Sequence, residues 1–240
     1  SPLAFDLAER LQTPVMVLTD LDIGMNDWMV PELEWDDSYV PDRGKTLGAE
    51  ELEKMDKFYR YLDVDGDGIT YRTFPGEHPK GSYFTRGSGH TKYGAYTENS
   101  ADYQEVLDRL LVKWETARKL VPEAEIRYSK FNKAGILTLG SGDGGCKEAL
   151  DRLAAQNINL NYCRVKAFPF TDAVREFIDQ HDIVYVVEQN RDAQLRTLLV
   201  EDIDADKNKL VPILHYDGMP LNAGSVVDGI LSEIKKGRAA

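Results

Sequence analysis

From Ala134 onward the chain repeats one pattern: a short apolar run, then a stretch with helical spacing. The apolar runs are "AGILTLGS", "LNYCRVKAF", "IVYVVEQ" and "LVPILHY", and the spacing predicts helices near 144–156, 171–180, 191–200 and 223–236. Few folds accept that succession. Strands this apolar must be covered on both faces, and each helix has to carry the chain back over the sheet in a right-handed crossover. A parallel α/β domain over residues 131–240 is the expected result.

The other half is less regular. "LAFDLAERLQTPVMVLTDLDIG" reads as the end of a helix, a Thr-Pro break and an apolar strand from Val15 to Thr19, one αβ step whose sheet must be supplied by something earlier. The expectation is that the chain starts inside a domain. Residues 24–99 are rich in turn formers and aromatics, with a helix expected over about Ala49–Leu62. A longer helix is expected over about Ala101–Leu120, where Tyr103, Val106, Leu107, Leu110, Leu111 and Trp114 recur at helical spacing and Pro122 ends the run.

Composition excludes some functions. A net charge of -12 with no long basic run argues against a nucleic-acid partner. No apolar run approaches the ~20 residues of a membrane span, no signal peptide opens the sequence, and a cytoplasmic protein is expected. Cys146 and Cys163 lie 17 apart, which fits neither a disulfide framework nor a metal-binding pair, so two reduced core thiols are expected.

Six short stretches could carry chemistry. "DVDGDG", from Asp63 to Gly68, opens like a calcium loop, but position 12 of that loop falls on Phe74 and position 10 on Arg72, so a polar turn is preferred to a metal site. "GSGDGG" places Gly140, Gly142 and Gly145 in a GxGxxG spacing, yet Asp143 sits inside it and no carboxylate ends the second strand; a strand-to-helix turn is preferred to a dinucleotide site. Glu188, Gln189 and Asn190, and "HYDG" one unit later, stand at strand ends where ligands bind in open sheets, but neither offers a nucleophile with a base. Buried hydrogen bonding by Glu188 and Gln189 and helix capping by Asn190 remain open for the first. "YRTFPG" and "YFTRGSGH" bring forked donors, Arg72 and Arg86, together with hydroxyls and glycines suited to an anion, although loop arginines also pair with acids.

The succession "TPVMVLTDLDIGMN", "DRGK", "YLDVDGDGITYRTFPG", "FTRGSGH", "YTE", "RVKAFPF" and "VYVVEQNRDAQL" closely resembles the alpha subunit of 2-oxoglutarate:ferredoxin oxidoreductase, of the thiamine diphosphate dependent 2-oxoacid oxidoreductases. The resemblance implies the last αβ step of a pyrimidine-binding domain (1–25), a loop-rich connecting region (26–130) and a transketolase C-terminal-like parallel α/β domain (131–240). It implies oxidative decarboxylation of a 2-oxoacid with coenzyme A, giving acyl-CoA and carbon dioxide and reducing ferredoxin. Partners implied are a beta subunit, which holds thiamine diphosphate, Mg2+ and a [4Fe-4S] cluster, and the N-terminal remainder of alpha. The substrate-carboxylate contacts fall on Arg72 and Thr85, with Arg86 or His90 inferred for a distal carboxylate. No catalytic residue and no metal ligand is expected in this chain. A noncatalytic docking subunit, or a relative using pyruvate or another 2-oxoacid, is the alternative.

Overall fold

The computed structural model describes residues 2–85, 89–129 and 132–238. It divides into two compact units, one of residues 1–17 and 32–120, the other of residues 18–31 and 121–240.

The second unit is the parallel α/β domain. Strands β1 (Glu125–Arg127), β2 (Ala134–Leu139), β3 (Asn161–Val165), β4 (Ile183–Glu188) and β5 (Leu210–Leu214) lie in the order β1-β3-β2-β4-β5. All pairings are parallel except β1 on β3, where Ile126 faces Cys163. Helices α5 (Gly142–Ala154), α6 (Asp172–Asp179) and α7 (Gln194–Ile203) make the crossovers, and α8 (Ala223–Lys235) follows β5. They cover both faces: one core joins Ile136, Tyr162 and Tyr185 to α5 and α8, and the other joins Leu137, Cys163 and Val186 to α6 and α7. Alternate strand residues feed the two cores because strand side chains point to opposite faces. Pro212 is tolerated in β5 because that strand is at the edge, where a missing N–H need not break a ladder. The antiparallel β1 is too short for its period to show in the sequence, and it was not anticipated.

Both cysteines are free and buried, Cys146 in the first core and Cys163 in the second. Burial pushes each thiol up to about 12, so neither is a nucleophile at neutral pH.

The first unit holds α1 (Pro2–Leu11), α3 (Ala49–Lys54), a 3-10 turn (Pro79–Gly81) and α4 (Ser100–Arg118), with a small core of Leu7, Leu11, Ile69 and Ala117. Asn99 starts α4, its side chain accepting from the Ala101 N–H. Two expectations are corrected. Val15–Thr19 is not a strand: no ladder partner exists for it among the described residues, and Met16, Val17 and Leu18 are exposed. Helix α3 ends at Lys54 rather than Leu62. The Lys80 ammonium donates to the carbonyls of Glu53 (2.7 Å) and Met55 (3.3 Å), acceptors that a longer helix would have used itself. The intervening segment, which contains the four-residue helix α2 (Leu21–Gly24), leaves Trp28, Met29 and Trp35 exposed.

Candidate functional site

"DVDGDG" folds as a turn closed from inside. Asp63 accepts from the backbone N–H groups of Asp65, Gly66 and Gly68. The Lys45 ammonium lies 2.6 Å from Asp65 and 2.7 Å from Asp67 and also donates to the Ile69 carbonyl at 3.1 Å. A side chain of the same chain thus takes the place a cation would have between these carboxylates. Gly68, at φ +78°, presses on α4: a Cβ there would lie 2.2 Å from the Lys113 nitrogen.

Arg72 follows this turn. Its backbone N–H donates to the Lys45 carbonyl (3.0 Å) and its carbonyl accepts from Leu47 (2.9 Å), fixing the residue beside Thr46. Its guanidinium is half-buried, ion-paired with Glu9 and donating to the Arg43 carbonyl at 2.7 Å, while Nε is buried without a partner. The Arg72 hydrogen bond holds the Glu9 carboxyl below its ordinary range. Arg72 therefore already grips a carboxylate, as a forked donor does. His90 belongs to a different set of neighbours: its ring stacks on Tyr61 with centroids 3.8 Å apart, and Nδ1 lies 3.0 Å from the Thr91 carbonyl. Thr85 is half-buried on the loop before it. Arg86 lies outside the described residues.

A cleft of about 190 Å³ opens beside Tyr61, lined by Gln12, Arg60, Thr70, Arg109 and Lys113. Arg109 and Lys113 sit four apart on α4, so they share a face, and Arg60 comes from the loop after α3. Sequence reading passed over all three, although two cations four apart on a helix repel and ask for a counter-charge.

In the second unit the strand order reverses at β2, so the crevice at its carboxyl end is where an open sheet receives ligands. The GxGxxG glycines serve packing there. A Cβ on Gly142 would meet Thr138 Oγ1 at 2.6 Å, and one on Gly145 the Leu221 carbonyl at 3.0 Å. Asp143 accepts from the Tyr162 hydroxyl (2.5 Å) and pairs with Lys147 and Arg164, which leaves no anion-attracting loop. The Ser141 hydroxyl holds the Asp20 carboxyl below its ordinary range, placing Asp20 against the same turn. Gln189 donates to Ser141 Oγ at 3.1 Å. Buried Glu188 accepts from the Leu195 and Arg196 N–H groups, and Asn190 from that of Gln194, so both secure the start of α7. His215 Nε2 donates to the Met219 carbonyl (2.8 Å), just past "HYDG", and lies 3.1 Å from Asp217 within it.

Comparison with known proteins shows what the chain is similar to. No family model matches the chain. The alpha subunit of 2-oxoacid:ferredoxin oxidoreductase 1 of Sulfurisphaera tokodaii is 27% identical over 98% of this chain, and that of the Saccharolobus solfataricus enzyme is 25% identical over 98%. This chain is thus similar over nearly its whole length to 2-oxoacid:ferredoxin oxidoreductase alpha subunits. It spans about a third of their length, 36% of the Sulfurisphaera protein. The fold agrees: 2-oxoglutarate:ferredoxin oxidoreductase of Magnetococcus marinus, solved with 2-oxoglutarate, coenzyme A and succinyl-CoA bound, superposes with TM-score 0.79 at 22% identity, covering 95% of this chain and 39% of that one. The α/β unit of this chain thus has the parallel, doubly covered architecture expected from its sequence.

Proposed function

We propose that this chain is the C-terminal portion of the alpha subunit of an enzyme that oxidatively decarboxylates a 2-oxoacid with coenzyme A and passes the electrons to ferredoxin, 2-oxoglutarate being the favoured substrate. The observation that carries this reading is the alignment with named alpha subunits over 98% of the chain. In this reading residues 1–25 finish a pyrimidine-binding domain, 26–130 connect, and 131–240 form the transketolase C-terminal-like domain. The protein works in the cytoplasm with a beta subunit, the rest of alpha and ferredoxin; no described helix is long and apolar enough to cross a membrane.

Arg72 and Thr85 hold the substrate carboxylate, and Arg86 or His90 receives a distal one. Arg72 is suited to its part because a guanidinium binds a carboxylate bidentately and so fixes rotation as well as position. The ion pair of Arg72 with Glu9 supports this reading, since a substrate carboxylate would need the same kind of contact. A substrate carboxylate has to exchange with Glu9, which keeps Arg72 oriented before binding.

Thiamine diphosphate, Mg2+ and the [4Fe-4S] cluster belong to the rest of the complex. The described residues assemble no group of three or more His, Cys, Asp or Glu that could hold a metal ion, and the two cysteines lie in different cores. No step is assigned to this chain through those groups.

The test is viologen reduction by the native complex with coenzyme A and either 2-oxoglutarate or pyruvate. Preference for 2-oxoglutarate is expected; preference for pyruvate overturns the substrate, and no reduction with any 2-oxoacid overturns the reaction. Arg72→Ala should raise KM and lower kcat/KM by roughly 10- to 100-fold, the worth of charge-assisted hydrogen bonds. Arg72→Lys should not restore it, since an ammonium lacks the fork. Unchanged kinetics in Arg72→Ala remove Arg72 from the site.

A further inference from the structure

Arg60, Arg109 and Lys113 line one cleft, yet every hydrogen bond the structure gives them ends on a neutral oxygen. Arg60 donates to Thr70 Oγ1 and Gln12 Oε1, each at 2.6 Å. Arg109 donates to the Gly68 carbonyl at 2.7 Å, and its Nε is buried without a partner. Lys113 reaches only the Gln12 carbonyl, at 3.4 Å. Elsewhere in the same unit cations find acids: Arg10 pairs with Asp42, Lys45 with Asp65 and Asp67, Lys92 with Glu105. In a chain with 41 acidic and 29 basic residues, three half-buried cations facing one another without a carboxylate are unusual.

The acid nearest in charge terms is Asp63, which attracts Arg109. Its oxygens are already committed to the backbone N–H groups of Asp65, Gly66 and Gly68. Burial and mutual repulsion lower both Arg109 and Lys113 from their ordinary values, which is the cost of holding the cluster without a counter-ion.

We propose that this cleft is a binding site for a phosphate-class dianion, gripped by the Arg60 and Arg109 guanidinium groups and the Lys113 ammonium, with Thr70 and Gln12 positioning Arg60 and the Gly68 carbonyl positioning Arg109. Three positive charges suit a dianion better than a single carboxylate, and forked donors suit its tetrahedral oxygens. The volume sets the size. At about 190 Å³ the cleft falls below the roughly 300–1,000 Å³ of ordinary ligand pockets. It therefore admits free phosphate or the phosphoryl end of a longer molecule, whose remainder would stay outside. Arg72 does not line this cleft; of the proposed 2-oxoacid contacts, His90 stacks on Tyr61, which does.

The experiment is calorimetric titration of inorganic phosphate into the full-length polypeptide that contains this sequence, at fixed ionic strength, with acetate and glycerol 3-phosphate in parallel. Phosphate binding that weakens at least tenfold in both Lys113→Gln and Arg60→Gln is expected, with acetate at least tenfold weaker than phosphate. Tighter binding of glycerol 3-phosphate than of phosphate identifies an esterified ligand, and the reverse order a free one; either supports the site. The thermal midpoint without phosphate separates a ligand site from a structural cluster: relieving repulsion should raise it in Lys113→Gln, whereas a structural lysine would lower it. Absence of phosphate binding to the wild type, unaltered binding in the two variants, or equal binding of acetate overturns the proposal.

Discussion

Lys45 shows how one side chain can settle a question that its neighbours raise. Burial alone would lower its pKa, but the hydrogen bonds it donates to Asp65 and Asp67 raise it overall, and Lys45 in turn lowers Asp65. The signs fix the pH window. Stabilisation from the depressed Asp65 is complete above its unfolded value near ~3.9 and is lost as pH falls through the folded value. That from the raised Lys45 is complete below its ordinary 10.5 and is lost as pH rises through the folded value. Lys45→Met should therefore lower the thermal midpoint at neutral pH, with the difference from wild type closing in strong acid, while a chelator should leave the wild-type midpoint unchanged. A chelator-sensitive midpoint would mean that a metal, and not Lys45, holds the loop. From sequence alone the failed closing half of the calcium pattern was legible at Phe74 and Arg72. The lysine was not, because it enters from 20 residues upstream. Glu9 escaped for the same reason, reaching Arg72 across 63 residues.

Among the elements, those with a strong period were readable and those terminated by tertiary contacts were not. The four helices and four parallel strands after Ala134 follow from apolar spacing, since each face has its own core to satisfy. The end of α3 depends on Lys80, and the absent strand at Val15–Thr19 on a missing partner, neither of which local sequence encodes. The site divides the same way: Arg72 could be picked out by its motif, whereas Arg60, Arg109 and Lys113 meet only because α4 lies against the turn at Gly68. That contact gives an element-scale prediction. Gly68→Ala combines a left-handed backbone with a clash against the α4 backbone and should cost at least about 2 kcal/mol in chemical denaturation. It should also abolish phosphate binding by moving Arg109. Gly66, with open space around its Cβ position, should tolerate Ala at only the cost of its own positive φ. Equal losses at the two glycines would refute the close packing.

At the scale of the whole molecule, the homologous alpha subunits are longer than this chain, which spans 36% of the Sulfurisphaera protein. Met16, Leu18, Trp28, Met29, Val30, Leu33 and Trp35 are all exposed within one short segment, far more apolar surface than a scatter of single residues. If this segment is covered in the assembled enzyme, limited proteolysis should cut between residues 16 and 40 when the chain is produced alone and spare it in the native complex. Equal cutting in both would show that the segment stays open to solvent after assembly. In that case the same exposed side chains would act as a clock in the cell: until they are covered, chaperones and proteases would compete for the newly made chain. Its abundance would then follow the supply of whatever covers it more closely than its own rate of synthesis.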